Sequence, residues 1–109
     1  MPEAPFDIVG LGVATVDDFI VVPEYPAKNT KRPVIDTVRQ GGGSTATALV
    51  AAARLGFRTA QLISLGRDEL SRFVRQSLAS EGITLFENPD ALDAEPYHSV
   101  IIFEASAGP

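Results

Sequence analysis

A glycine-rich turn followed by an alanine-rich helix constrains the fold of this chain more than any other segment. The turn is Gly41-Gly42-Gly43, and the apolar periodicity after it predicts a helix from Ser44 to about Leu55. Gly56 then stands where a glycine ends a helix. The helix has one apolar stripe, made of Ala46, Leu49, Val50 and Ala53. Because alanine side chains are short, this helix can approach a sheet closely, and the pattern predicts a strand–turn–helix unit.

Strand-like and helix-like segments alternate along much of the chain. The short apolar run at 6–12 predicts a buried strand, and the runs at 59–66 and 83–86 predict two further strands. Asp68 is positioned to cap a second helix, and Gly82 to end it. Parallel strands need long crossovers, which helices usually supply. The alternation therefore predicts an α/β fold with a mostly parallel sheet flanked by helices.

One excursion interrupts this alternation. Residues 19–22 are aromatic or β-branched, which favours a strand, and prolines follow at positions 23 and 26. After a loop at 24–30, residues 31–39 form a second extended segment. A hairpin of this kind does not fit inside a parallel sheet, so we expect it to project as a separate flap. A final strand is predicted at 97–105, after an acidic loop.

The composition restricts the class of protein and its partners. With 109 residues and 45% hydrophobic content, the chain is long enough for one domain with a buried core. Nine Lys and Arg against fourteen Asp and Glu leave a net charge of −5, which disfavours nucleic acid and anionic membrane as partners. The apolar run 46–53 is far shorter than the roughly 20 residues of a transmembrane helix. The acidic, proline-rich start differs from a secretory signal, so we expect a cytoplasmic protein.

The glycine-rich turn is the first candidate site. Glycines let the backbone approach a ligand, and N–H groups at a helix start favour an anion or a hydroxyl. The lysine of a P-loop is absent here, and Gly10-Leu11-Gly12 lacks the third glycine of a dinucleotide-binding fingerprint. A plain turn in which Ser44 caps the helix explains the same residues equally well.

Asp17 and Asp18 are the second candidate, placed at the carboxyl end of the first predicted strand. Adjacent strand residues face opposite ways, so at most one of these carboxylates points into a given site. A solvated pair is the simpler interpretation from position alone. Arg67 is interpreted as a surface arginine, and His98 as a packing or edge residue. No cysteine and no second histidine could complete a metal shell around His98, so no metal site is predicted.

Three motifs, in order, resemble the ribokinase-like, or PfkB-type, family of carbohydrate kinases. The run VGLGVATVD at 9–17 is similar to the family's opening strand with its aspartate. The run GGSTATALVAAARLG at 42–56 is similar to its first signature and is the most specific match. The run LGRDE at 65–69, with Gly82 and Ile83 downstream, is similar to its G-x-D…G-[VI] stretch. The resemblance covers nearly the whole chain.

The resemblance implies a ribokinase-like α/β fold in which residues 1–109 are the N-terminal portion of a PfkB-type kinase domain. Segments at about 18–40 and 97–105 would form a β-lid over the sugar. In this family the lid often supplies a dimer interface, so a homodimer through the lid is a further expectation.

The resemblance also implies roles for six residues. Asp17 is expected to bind sugar hydroxyls, and the backbone at Gly42 and Gly43 to close on the sugar, with Ser44 beside it. Two departures from the family pattern are Thr15 and Thr47, which stand where many ribokinase-like members carry asparagine. A hydroxyl has a shorter reach than an amide, so the identity of the sugar stays open.

The implied activity is ATP-dependent phosphorylation of a sugar or sugar-like alcohol, with ATP and Mg²⁺ as cofactors. The family's second signature, T-x-G-A-G-D, supplies the anion hole and the aspartate base, and it does not occur in these 109 residues. We therefore expect no catalytic residue and no metal ligand here, and no activity from this chain alone. Two alternatives stay open: a non-catalytic module that binds a small polyol or dimerises through the lid, and a nucleoside or vitamin kinase of the same superfamily.

Overall fold

The computed structural model describes residues 4–105, which form six strands and two helices. The strands are β1 (Ile8–Leu11), β2 (Thr15–Val22), β3 (Asp36–Gly42), β4 (Thr59–Ile63), β5 (Thr84–Glu87) and β6 (Tyr97–Glu104). The helices are α1 (Ser44–Arg54) and α2 (Glu69–Ser80). The strands form two three-stranded sheets, with the orders β1-β4-β5 and β3-β2-β6.

The first sheet is parallel throughout, as the strand–helix alternation predicts. Strand β4 lies in the middle, with Gln61 paired to Gly10 on one side and to Leu85 on the other. Both helices contribute to one apolar core on this sheet, which contains Ala14, Val16, Ala46, Leu49, Ile63, Leu65, Val74, Leu78 and Ile83. The predicted α/β class, with a parallel sheet flanked by helices, is confirmed.

Strand β1 is less buried than its apolar sequence predicts. Gly10 faces α1 so closely that an added Cβ would lie 2.8 Å from Leu49 Cδ1. Val9 and Leu11 point to the other face, and Leu11 is 83% exposed. The prediction of a buried strand at 6–12 is therefore wrong within the described residues, because α1 and α2 cover only one face of the sheet.

The helix ends follow the sequence signals with one exception. Gly56 and Gly82 follow the two helices with φ of 96° and 82°, the left-handed conformation that favours glycine. Asp68 caps α2, and its side chain accepts a hydrogen bond from the Ser71 N–H at 3.2 Å. The alternative in which Ser44 caps α1 does not hold: the N-cap is Gly43, which has no side chain to accept a hydrogen bond.

The second sheet contains the segments that we expected to form a flap. Strand β2 pairs antiparallel with β3 and parallel with β6. Strand β3 starts at Asp36, opposite Val21, rather than near residue 31. Pro33 explains part of this difference, since proline has no N–H to donate to a ladder. At its other end β3 continues through Gly41 and Gly42, which the sequence interpretation had assigned to the turn.

The second sheet makes the molecule elongated. The radius of gyration is 17.2 Å, against about 13 Å for a compact domain of this length. The molecule measures 62 × 32 × 17 Å along its principal axes, in agreement with a sheet that projects from the α/β unit. Across residues 4–105, neither helix is long and apolar enough to cross a membrane.

Candidate functional site

Asp17 and Thr15 share one face of β2. They are two residues apart, and Thr15 Oγ1 donates a hydrogen bond to Asp17 Oδ1 at 3.3 Å. Asp17 lies inside β2, not at the end of the first strand as the sequence interpretation had it. The register places Gly42 of β3 directly opposite Thr15. This face therefore presents a carboxylate and a hydroxyl beside bare backbone.

Gly42 leaves room for the Asp17 carboxylate. A Cβ at position 42 would clash with Asp17 Oδ2 and would lie 2.7 Å from Thr15 Oγ1. A Cβ on Gly41 would meet only Ser77 Oγ, at 3.4 Å. Neither Gly41 nor Gly42 has a positive φ. The glycine at 42 is thus required by the close approach of a side chain, not by an unusual backbone conformation.

The turn after β3 brings the start of α1 next to the start of β2. Gly43 has a φ of 92°, and an added Cβ would lie 2.9 Å from the Val13 carbonyl oxygen. Ser44 is exposed at the first position of the helix. Thr47 is exposed one turn later, and its N–H donates to the Gly43 carbonyl oxygen at 2.9 Å. Position 43 therefore needs glycine for both space and conformation.

A cavity of about 480 Å³ lies between the end of β3 and the two helices. Thr15, Gly42 and Thr47 line it, together with Arg39, Gln40 and Phe73 among others. Asp17, Gly43 and Ser44 do not line this cavity. The six residues predicted to bind the sugar are thus divided between the cavity wall, the Asp17 face of β2 and the start of α1.

Asp18 has surroundings different from those of Asp17. It accepts hydrogen bonds from Arg39 Nε at 2.8 Å and Arg39 Nη2 at 3.1 Å, and His98 Nε2 lies 2.5 Å from its Oδ2. The Arg39 hydrogen bonds, followed by that of His98, lower the pKa of Asp18 to about 2. The hydrogen bonds to Asp18 in turn raise the pKa of Arg39. His98 therefore contacts a carboxylate in addition to occupying the edge strand β6.

Sequence reasoning missed Gln61. This residue is fully buried in β4, and its Nε2 donates a hydrogen bond to the Gly12 carbonyl oxygen at 3.2 Å. This hydrogen bond connects β4 to the turn between β1 and β2, just before Thr15. Its Oε1 has no hydrogen-bond partner in the described part of the chain. One signal could have found it: a long polar side chain in the middle of an apolar central strand.

A second cavity, of about 530 Å³, lies at the carboxyl ends of β1, β4 and β5. None of the six predicted binding residues lines it. Its walls are mainly apolar and include Leu11, Val13, Leu62, Phe86, Pro96 and Tyr97. From Ala4 to Ala105, no group of three or more His, Cys, Asp or Glu side chains could hold a metal ion.

Comparison with protein families identifies the chain. The model of the pfkB family carbohydrate kinase matches residues 7–90, which is most of the sequence. The chain belongs to the pfkB family of carbohydrate kinases. The matched residues include all six predicted binding positions. A comparison with curated proteins gave no match.

Solved structures share the fold of this pfkB-family chain. A carbohydrate kinase from Agrobacterium tumefaciens is 23% identical to this chain, with a TM-score of 0.75. The match covers 91% of this chain and 32% of the Agrobacterium protein. A ribokinase from Cryptococcus neoformans in complex with ADP is 20% identical with a TM-score of 0.67, over 95% and 32% of the two chains. The tetrameric inhibited form of phosphofructokinase-2 from Escherichia coli is 18% identical with a TM-score of 0.74, over 95% and 33%. The pfkB-family chain thus spans about a third of the length of these proteins.

In this pfkB-family chain, the G-x-D stretch shapes the start of α2. Gly66 is buried, and a Cβ there would clash with the Ala94 carbonyl oxygen. The Gly66 N–H donates to Ser71 Oγ at 3.0 Å. Arg67 is exposed and pairs with Asp93 at 3.1 Å, which agrees with its interpretation as a surface arginine. The glycine and aspartate of this stretch therefore have structural explanations of their own.

Proposed function

We propose that this chain is the acceptor-binding part of an ATP-dependent carbohydrate kinase, and that Asp17 binds hydroxyls of the acceptor and orients it. The observation that carries the proposal is the Asp17–Thr15–Gly42 cluster. The Asp17 carboxylate accepts one hydrogen bond from Thr15 Oγ1, while the Arg39 ion pair belongs to Asp18. The remaining lone pairs of the Asp17 carboxylate are therefore suited to accept hydrogen bonds from the hydroxyls of a sugar.

Phosphoryl transfer needs a positioned nucleophile and neutralisation of the charge that develops on the transferred group. The cluster contributes to the first requirement, because a carboxylate and a hydroxyl on one rigid strand can orient a polyol. The second requirement is assigned to parts of a kinase that these residues do not contain. We therefore propose that the 109-residue chain binds an acceptor and transfers no phosphoryl group by itself.

ATP and Mg²⁺ are the proposed co-substrate and cofactor. The support is family membership, and one related fold is a ribokinase in complex with ADP. Within residues 4–105, no group of three or more His, Cys, Asp or Glu side chains could hold a metal ion. We assign no metal ligand to this chain and derive no step through the metal.

A homodimer formed through the second sheet is also part of the proposal. Aromatic rings stack on this sheet, with the centroids of Phe19 and Phe103 5.6 Å apart. Phe103 is 50% exposed and Val38 is 45% exposed on the same face. An exposed apolar face of this kind favours a protein partner over solvent.

The test compares acceptor binding by matched glycine variants. Wild-type chain, Asp17→Asn, Gly42→Ala and Gly41→Ala are titrated with D-ribose, D-fructose, adenosine and pyridoxal by NMR. We expect a neutral sugar to perturb the signals of Asp17 and Gly42 in the wild type and in Gly41→Ala. Asp17→Asn and Gly42→Ala should lose this response, because one removes the carboxylate and the other displaces it.

Several outcomes would contradict the proposal. Equal binding by wild type and Asp17→Asn would remove Asp17 from the site. Binding of adenosine or pyridoxal alone would favour a nucleoside or vitamin kinase. Phosphorylation of a sugar by the 109-residue chain with ATP would contradict the proposal that this chain binds the acceptor but transfers no phosphoryl group. Reading the coding sequence beyond Pro109 tests the same proposal, and we expect a G-A-G-D run there; its absence would leave the non-catalytic binding module.

A further inference from the structure

We propose that Arg39 is a positioning residue, which holds the second sheet against helix α2 in the orientation that the acceptor site requires. The contacts of Arg39 stand on their own, whereas its effect on the acceptor rests on the proposed function. Arg39 lies on β3, three residues before Gly42, and it does not itself form part of the Asp17 cluster.

The Arg39 guanidinium joins two structural units. Its Nε and Nη2 form a bidentate pair with Asp18 on β2, at 2.8 and 3.1 Å. Its Nη1 donates to Glu69 Oε1 at 2.9 Å, in the first turn of α2. Its Cζ lies 5.7 Å from the centroid of the Phe73 ring, one turn further along α2. One planar group therefore connects the second sheet to the α/β unit.

The second sheet needs such a connection because its packing is incomplete. Ala14 and Val16, at the start of β2, are buried in the shared core and anchor that strand. Anchoring at β2 alone still permits the second sheet to rotate about the axis of β2. The end of the neighbouring strand β3 faces the 480 Å³ cavity, so close packing does not stop this rotation there. Arg39 lines the cavity and reaches α2 across it.

Asp18 also connects β6, the third strand of the second sheet, to the Arg39 contact with α2. His98 Nε2, on β6, lies 2.5 Å from Asp18 Oδ2, on the side chain that also holds Arg39. One carboxylate thus contacts both neighbouring strands, and Arg39 transmits the arrangement to α2. The cluster lies on the face of β2 opposite Asp17, so it is suited to position the site without blocking it.

The consequence for the acceptor follows from the position of the cluster in the chain. Asp18 adjoins Asp17, and Arg39 is on the strand that carries Gly42. Thr47 lies on α1, which does not belong to the second sheet. A rotation of the sheet would therefore move Asp17 and Gly42 relative to Thr47. A polyol that contacts both Asp17 and Thr47 would lose part of its contacts.

Arginine and lysine are not equivalent at this position. The planar guanidinium can pair with Asp18, donate to Glu69 and stack on Phe73 at the same time. An ammonium keeps the positive charge but cannot satisfy these three partners together. Arg39→Lys therefore separates the geometry of the group from its charge.

The first readout is the orientation of the sheet. The chain has no cysteine, so Thr37→Cys on β3 and Ala51→Cys on α1 supply two unique sites for spin labels. Pulsed electron paramagnetic resonance then measures the distance between the labels. We expect a narrow distribution in the wild-type background and a broader one with Arg39→Lys. Arg32→Lys is the control, since Arg32 pairs with Glu24 at 3.4 Å, away from α2.

The second readout is the affinity for D-ribose or D-fructose, whichever the wild type binds. We expect about tenfold weaker binding for Arg39→Lys, the size expected from the loss of one charge-assisted hydrogen bond. Arg32→Lys should bind like the wild type. The free energy of unfolding of each variant is measured as well. If weaker sugar binding were caused only by partial unfolding, it would disappear at low temperature, where all variants are folded. If Arg39→Lys does not fold, Glu69→Gln removes only the contact with α2 and should broaden the distances by itself.

The outcomes separate this inference from the proposed function. Unchanged distances in Arg39→Lys and Glu69→Gln would overturn the role of Arg39, even if the wild type binds a sugar. Broader distances with unchanged sugar affinity would overturn the link to the acceptor. If the wild type bound neither sugar while the distances still responded to Arg39→Lys, the proposed function would fail and the hold of Arg39 on the sheet would be supported.

Discussion

At the scale of single residues, Asp17 and Asp18 have opposite surroundings although they are adjacent. Strand geometry turns their side chains to different faces of β2. Asp18 forms an ion pair with Arg39 on one neighbouring strand and lies within hydrogen-bond distance of His98 on the other. Asp17 meets the hydroxyl of Thr15 and lies against the bare backbone of Gly42. Asp18 is therefore paired with a cation, whereas we propose that the adjacent Asp17 binds the acceptor.

The lowered pKa of Asp18 predicts a specific acid sensitivity. Its folded-state pKa is about 2, against an ordinary value of 3.8, so the unfolded chain takes up the proton first as the pH falls. The stabilisation from this carboxylate is complete above pH 3.8 and disappears as the pH approaches 2. We therefore expect Asp18→Asn to be less stable than the wild type at pH 5, with the difference shrinking below pH 4. Urea unfolding followed by circular dichroism, at several pH values, measures this.

Asp93→Asn is the matched control for this measurement. Asp93 is 94% exposed and pairs with Arg67 on the surface, so an isolated surface pair of this kind contributes little to stability. A constant difference between Asp18→Asn and the wild type from pH 5 down to pH 2 would contradict the assignment.

At the scale of secondary structure, the two helices begin in different ways. Helix α2 has Asp68 as an N-cap, whose side chain accepts from the Ser71 N–H. Helix α1 begins after Gly43, where φ is 92° and a Cβ would lie 2.9 Å from the Val13 carbonyl oxygen. A capping side chain at 43 would therefore be strained and crowded. Helix α1 therefore lacks a side-chain cap because its start packs closely against the β1–β2 turn.

The cap of α2 predicts a graded loss of stability. Asp68→Ala removes the acceptor and should lower the free energy of unfolding by about 1 kcal/mol. Asp68→Asn should lose less, because asparagine caps helices nearly as well as aspartate. The urea midpoints of the three proteins measure the effect. Equal losses for alanine and asparagine would show that the charge at this position matters and the hydrogen bond does not.

At the scale of the whole molecule, one face of the first sheet is open. Val9, Leu11, Leu62 and Phe86 are all at least two-fifths exposed, and the helices lie on the other face. The chain covers about a third of the longer kinases that share its fold. A contiguous apolar face in water favours association.

This open face predicts concentration-dependent self-association of the 109-residue chain. Leu11→Lys places a charge in the middle of the face and should shift sedimentation-velocity profiles toward smaller species. Leu55→Lys is the control, because Leu55 is 78% exposed at the end of α1, away from this sheet face. Equal effects of the two substitutions would show that general charge, and not this face, controls association.

The local features of the fold could be predicted from the sequence. The alternation of strands and helices, the glycines at 56 and 82 and the cap at Asp68 depend on residues close together in the chain. The turn glycines were less predictable: Gly42 is required by Asp17, which lies 25 positions earlier in the sequence and meets it only through strand pairing. Gln61 was missed for the same reason, since its partner Gly12 lies in the turn after β1, 49 positions earlier in the sequence.

The sequence by itself determined the class of fold, the order of its elements and the family of the protein, because periodicity, capping residues and motifs are local properties. Only the tertiary structure decided which side chains meet. The Asp18–Arg39–His98 cluster depends on the register of three strands, and its link to Glu69 depends on how a helix packs against them. Register and packing arise from contacts between distant residues, and no local pattern in the chain encodes them.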